Sequence, residues 1–86
     1  MSERTVFKYR LNFGVTTLPL PTGASVVYVG TQHEDVYLWV ELHQDHPTES
    51  RVFIVHGTGH PIDHASTYVG TVQIPPFVWH VYEDES

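Results

Sequence analysis

Histidine is the unusual count among the side chains that could do chemistry, with seven in 86 residues: His33, His43, His46, His56, His60, His64 and His80. Three of them, at positions 56, 60 and 64, are four residues apart, a spacing that aligns metal ligands on a helix. Gly57, Gly59 and Pro61 exclude a helix there, and the chain contains neither cysteine nor a His-Glu-x-x-His phrase. We therefore predict no metal site and no cofactor, and interpret most of the histidines as polar surface and loop residues.

The phrase Gly57-Thr58-Gly59-His60 is the clearest candidate for a binding loop. Glycines let backbone N–H groups converge on an anion, and threonine and histidine add side-chain donors, so phosphate is a candidate ligand. No lysine follows the loop and no helix begins at it, unlike in the known phosphate-binding fingerprints. The alternative, which the sequence favours, is a tight β turn whose glycines adopt positive φ.

Aromatic residues exceed what one small core needs, and they include Tyr28, Tyr37, Trp39, Phe53, Trp79 and Tyr82. A planar ligand could stack on Trp39 or Trp79, with Arg51 or Arg10 pairing with its negative charge. The predicted ligand-binding residues are therefore Gly57, Thr58, Gly59, His60, Trp39, Trp79 and Arg51.

Covalent catalysis is not indicated by the sequence. Ser25, Ser50 and Ser66 are the serines away from the termini, none lies in a Gly-x-Ser-x-Gly phrase, and there is no cysteine nucleophile. A small hydrolase that uses His56 or His60 as acid or base, with Asp63 as the orienting group, stays open as the less favoured alternative. We expect a protein without catalytic residues.

Alternating apolar and polar residues predict strands over 5–13, 25–31, 35–42, 51–56, 67–74 and 77–82. Helix competes over 35–42, where β-branched and aromatic residues favour strand. Two prolines predict a turn or an irregular edge over 17–24, and residues 43–50 are predicted to be an exposed connection. The expected fold is all-β, a compact sandwich or barrel of about six to seven short, mainly antiparallel strands in one domain spanning 1–86.

Size and charge narrow the classes of partner. Ten acidic residues against four basic ones give a formal net charge of −6, which disfavours long nucleic acid. Arg4, Lys8 and Arg10 crowd the first predicted strand, as in an edge strand whose cations discourage pairing. A chain this short has a marginal core, so we expect a homo-oligomer. It has no long apolar run and no signal-peptide pattern, and we expect a cytoplasmic protein without membrane association.

Six phrases of the chain resemble, in the same order, an uncharacterised family of short bacteriophage and prophage proteins: residues 7–9, 20–24, 38–39, 57–62, 68–73 and 77–81. Gly-Thr-Gly-His-Pro-Ile at 57–62 and the closing Val-Trp-His-Val at 78–81 are the most specific. The resemblance implies a phage origin and supplies no catalytic residues. By analogy it favours a non-enzymatic binding protein in the host cytoplasm that sequesters a nucleotide-like host signal in counter-defence. The alternative is an inhibitor or accessory subunit that binds a protein of a host or phage complex.

Overall fold

The computed structural model describes residues 3–85 and folds them into seven strands without a helix. The strands are β1 (Arg4–Leu11), β2 (Val15–Pro21), β3 (Ser25–Gln32), β4 (Asp35–His43), β5 (Thr48–Gly57), β6 (Ser66–Ile74) and β7 (Phe77–Asp84). They form a three-stranded sheet in the order β1-β4-β3 and a four-stranded sheet in the order β2-β5-β7-β6. All pairs are antiparallel, so the predicted all-β class is confirmed, and the two sheets make a sandwich-like arrangement rather than a closed barrel.

The core forms where side chains of both sheets turn inward at every second position. In β4 the buried residues are Val36, Leu38, Val40 and Leu42, and the residues between them are half-buried on the other face. This two-residue period confirms strand over helix for residues 35–42. Within residues 3–85, twelve apolar residues are buried: Leu11, Leu18, Leu20, Ala24, Val36, Leu38, Val40, Leu42, Phe53, Val55, Val72 and Val81.

The sequence-based boundaries differ from the structure in two places. The segment predicted as a turn or an irregular edge over 17–24 does lie at a sheet edge, but up to Pro21 it is the regular strand β2, which pairs with β5 from Val15 to Pro21. Proline fits there because β2 is an edge strand, where a missing N–H removes no ladder bond. The connection predicted over 43–50 is also shorter, since β5 begins at Thr48 and supplies the partner of Pro21.

Close approach of the two sheets occurs where β3 passes β6. A Cβ atom at Gly70 would lie 2.8 Å from Val29 Cγ2, so only glycine lets the two strands come this close. The loops that follow β5 and β6 lie at one end of the four-stranded sheet, where Gly57 of β5 pairs with Trp79 of β7. No helix in the described part of the chain could cross a lipid bilayer.

Candidate functional site

The loop after β5 is a tight turn closed by two hydrogen bonds. The His60 N–H donates to the Gly57 carbonyl oxygen at 3.2 Å, and the Gly57 N–H donates to His60 Nδ1 at 3.1 Å. Gly59 has a φ of 90°, a left-handed conformation that glycine adopts without strain. The loop therefore uses two of its own N–H groups to hold the turn, and the N–H groups of Thr58 and Gly59 are the ones left for a ligand.

Glycine at position 57 also sets the position of the His60 ring. A Cβ atom there would lie 2.9 Å from His60 Cε1, closer than real side chains approach. Because Nδ1 accepts the Gly57 N–H, the ring hydrogen of neutral His60 sits on Nε2. His60 is exposed, so this N–H is available to a ligand.

A groove of about 390 Å³ opens between this loop and the β6–β7 turn. Its walls are Gly57, Thr58, His60, Pro76, Phe77, Val78 and Trp79. The Trp79 ring packs on Phe77 at a centroid distance of 5.9 Å and on Phe13 at 4.8 Å. Phe77 and Phe13 are 60% and 49% exposed, which leaves an aromatic surface open to solvent beside the loop.

A chain of hydrogen bonds fixes the wall formed by Thr58. Thr58 Oγ1 lies 2.9 Å from His80 Nε2, His80 Nδ1 lies 3.1 Å from Thr71 Oγ1, and Thr71 Oγ1 lies 2.7 Å from Tyr68 OH. Both nitrogens of His80 thus lie within hydrogen-bond distance of hydroxyl groups. No carboxylate takes part in this series of hydrogen bonds. The arrangement orders side chains on the surface of β6 and β7 and does not form an acid–base pair with Asp63.

The other residues named for hydrolysis make contacts of their own. Asp63 Oδ1 accepts the Ala65 N–H at 2.9 Å and lies 3.7 Å from His64 Nδ1. His56 packs edge-on against Tyr82 at 5.8 Å, and its Nε2 is buried without a partner among the described residues. Neither His56 nor His60 is paired with Asp63 in this arrangement.

Trp39 lies on the other sheet, on the outward face of β4. Tyr28 and Tyr37 surround it at centroid distances of 5.5 and 6.0 Å, and the Lys8 ammonium lies 4.8 Å from the Tyr37 ring centre. Arg10 pairs in register with Tyr37. The structure therefore forms two separate aromatic clusters, one around each tryptophan, and does not bring Trp39 to the loop.

Arg51 is six residues before Gly57 on β5, about 20 Å away along the strand. Its guanidinium donates to both carboxylate oxygens of Glu83, at 2.7 and 2.9 Å, and to the Ala24 carbonyl oxygen at 2.6 Å. The hydrogen bond to Glu83 raises the pKa of Arg51, despite the opposing effect of burial. Since Glu49, Asp84 and Glu85 line the same depression, Arg51 serves the fold and is poorly placed to receive an anion.

Sequence reasoning missed two features. Phe13 and Phe77 complete the aromatic surface around Trp79, and the exposure of aromatic residues cannot be judged before strands are paired. The turn after β4 brings together ligand atoms of His43, Asp45 and His46, all within 4.8 Å of one another. The spacing His-x-Asp-His in a predicted connection is a signal that could have revealed this cluster.

Fold and site define a small all-β protein with an open, aromatic surface groove beside a glycine turn. The chain belongs to a family described as a domain of unknown function, DUF7352, whose match covers residues 2–86. This agrees with the uncharacterised family that the sequence resembles. Comparison with curated proteins and with solved structures found no match.

Proposed function

We propose that this chain is a non-enzymatic binding protein that holds a small, planar, nucleotide-like ligand in the groove between the Gly57–His60 loop and Trp79. The observation that carries the proposal is that residues distant in the sequence line the same groove. Gly57, Thr58, His60 and Trp79 were chosen from the sequence as ligand-binding residues, and they line one concavity although 19 positions separate His60 from Trp79.

A planar ligand fits the aromatic wall. The Trp79 ring is inclined by 54° to Phe13 and by 46° to Phe77, so neither pair forms a parallel stack. A ring system that enters the groove contacts one ring face and one ring edge, the geometry that aromatic pairs prefer. Exposed aromatic surface of this kind marks binding sites in small proteins.

The Gly57–His60 loop offers hydrogen-bond donors to a ligand. Among residues 3–85, the His60 Nε2–H and the Thr58 N–H have no hydrogen-bond partner. The preferred ligand therefore offers acceptors, such as the carbonyl and ring nitrogens of a nucleobase or the oxygens of a phosphate. Lysine and arginine do not line the groove, so binding should depend little on salt.

The setting of this proposal follows from the family resemblance. In a phage protein the ligand would be a nucleotide-like host signal, and holding it in the host cytoplasm would withdraw it from a defence response. The groove is open on one side, which favours a homo-oligomer in which a second copy covers the ligand. Binding without chemistry is supported by the contacts of Asp63, whose carboxylate accepts the Ala65 N–H and lies beside His64.

The test uses the two tryptophans, which report different surfaces. In Trp39→Phe the remaining fluorophore is Trp79 in the groove, and in Trp79→Phe it is Trp39 on the other sheet. Adenosine, adenosine monophosphate and a cyclic dinucleotide serve as probes. We expect at least one of them to quench Trp79 and not Trp39, and to be recovered intact after heat denaturation.

Three results would contradict the proposal: quenching of Trp39 alone, no binding by any probe, or conversion of the probe to a product. His60→Ala, which removes one groove donor, should weaken binding by roughly tenfold, about the value of one hydrogen bond. Arg51→Lys is the matched control, because Arg51 lies at the far end of β5, and it should leave the affinity unchanged.

A second candidate function is protein binding through β1. This strand is paired on one side by β4 and carries Arg4, Lys8 and Arg10 along one face. Such an edge can accept a strand of a host or phage protein in an inhibitor or accessory complex. A stoichiometric complex that Lys8→Glu with Arg10→Glu disrupts, and that Trp79→Phe leaves intact, would favour this function over ligand sequestration.

A further inference from the structure

The turn between β4 and β5 places three metal-binding side chains in four residues. His43 ends β4, and Asp45 and His46 lie in the turn that follows. One ligand atom from each lies within 4.8 Å of the others. The two imidazole rings are nearly parallel, with centroids 4.7 Å apart and planes inclined by 19°.

The hydrogen bonding of His46 leaves one of its ring nitrogens able to bind a metal. His46 Nδ1 lies 3.1 Å from the Thr22 carbonyl oxygen, which can only accept, so Nδ1 carries the hydrogen and Nε2 presents its lone pair. Metal-ligating histidines commonly donate their second ring N–H to a backbone carbonyl in this way, which fixes the tautomer and the ring orientation.

The backbone of the turn is held from two sides. The His46 N–H donates to the His43 carbonyl oxygen at 3.2 Å, which closes the turn. The Thr22 N–H donates to the Pro47 carbonyl oxygen at 2.8 Å, so Thr22 contacts the turn through both its N–H and its C=O. The β2–β3 turn thus anchors the backbone of the ligand-bearing segment and the ring of His46.

We propose that His43, Asp45 and His46 form a binding site for a divalent ion of the zinc type. Two imidazole nitrogens and one carboxylate oxygen are the donors that zinc, nickel and copper accept, whereas calcium and magnesium prefer oxygen alone. A zinc bond of about 2.1 Å lies in the plane of its imidazole ring, so one of the two nearly parallel rings must turn before both nitrogens reach the same ion. The exposed Asp45 side chain can rotate to bring its carboxylate to that ion. A tetrahedral ion would keep its fourth position for water or a further donor.

This site goes beyond the proposed function and is independent of it. The turn adjoins Thr48 at one end of β5, and the groove adjoins Gly57 at the other end, about 30 Å away along a ten-residue strand. Loss of metal binding would leave the nucleotide test unaffected, and failure of that test would say nothing about the metal.

The experiment is a zinc titration of the full chain without an affinity tag, followed by calorimetry, with Co²⁺ as a spectroscopic substitute. We expect one ion per chain and the absorption bands of tetrahedral cobalt. Asp45→Asn and His43→Ala should each weaken binding by roughly tenfold or more. Asp45→Asn matters most, because it leaves the hydrogen bond from His46 to Thr22 in place and tests the ligand without disturbing the turn.

His64→Ala is the matched control. His64 is fully exposed beside Asp63, with 3.7 Å between its Nδ1 and Asp63 Oδ1, so it offers a surface histidine and a carboxylate without the anchored turn. Its removal should leave zinc affinity unchanged. The site is overturned if zinc does not bind at one ion per chain, if Asp45→Asn binds as tightly as the unmodified chain, or if His64→Ala is equally impaired.

Discussion

At the scale of single residues, the candidate site depends on the absence of a side chain at Gly57. Gly57 has no Cβ atom, and the His60 ring occupies the space next to it while accepting the Gly57 N–H. The sequence correctly indicates a turn over 57–60, because two glycines and a proline leave few alternatives. It does not show that one glycine positions the histidine, since that contact depends on the rotamer of His60.

Gly57→Ala should therefore impair ligand binding more than it impairs folding. The added methyl group meets the mobile end of a side chain, so we expect a loss in the free energy of unfolding of about 1 kcal/mol, near the lower end for overpacking. The displaced His60 ring should weaken probe binding by roughly the same factor as His60→Ala. Urea unfolding and Trp79 fluorescence titration measure the two effects.

A double-variant cycle makes this prediction specific. If Gly57 acts through His60, Gly57→Ala added to His60→Ala should cost no further affinity, because the positioned ring is already gone. Additive losses would show that Gly57 contributes to binding by another route, and unchanged affinity in Gly57→Ala would remove the positioning role.

At the scale of strands, the four sheet edges are protected in different ways. β2 carries Pro19 and Pro21, and β3 and β6 lie against each other at the contact between Val29 and Gly70. β1 has no proline and presents an unpaired backbone edge over eight residues. We expect cations to protect it, since centring two antiparallel β1 strands on Phe7 would set Arg4 opposite Arg10.

Replacing Lys8 and Arg10 with valine should expose this edge to self-pairing. We expect Lys8→Val with Arg10→Val to form larger species than the unmodified chain at the same concentration, because valine favours strand pairing and like charges no longer oppose it. Sedimentation velocity measures the size distribution. Lys8→Arg with Arg10→Lys keeps both charges and should behave like the unmodified chain; equal sizes for all three would show that charge does not protect the edge.

Local patterns predicted the regularly alternating strands well, and they missed β2 and the first residues of β5. Alternation located β4 nearly to the residue, because each second side chain enters the core. Pro19 obscured β2, since proline disrupts an inner strand and is tolerated at an edge, and edge position is a property of the whole sheet. The early start of β5 at Thr48 was hidden for the same reason, because it depends on pairing with β2.

At the scale of the whole molecule, the arrangement of the site depends on strand order, which no local pattern contains. Trp39 and Trp79 are alike as sequence features, yet β4 belongs to the three-stranded sheet and β7 to the four-stranded one. Trp79 meets the loop because β7 pairs with β5, and Arg51 is drawn into the fold because Glu83 lies on the same neighbouring strand. The type of site was predictable from composition. Which of the predicted residues come together in it depends on how the strands pair in the two sheets.

The contact between the two sheets at Gly70 provides the last prediction. Gly70→Ala places a methyl group 2.8 Å from Val29 Cγ2 and 3.0 Å from Val29 Cβ, where a β-branched side chain cannot easily turn away. We expect the free energy of unfolding to fall by about 1–3 kcal/mol, the range for overpacking. Val29→Ala removes the opposing methyl groups, so the double variant should be more stable than the sum of the two single losses predicts, by a margin that urea unfolding can resolve. Strict additivity would mean that β3 and β6 do not meet at this contact.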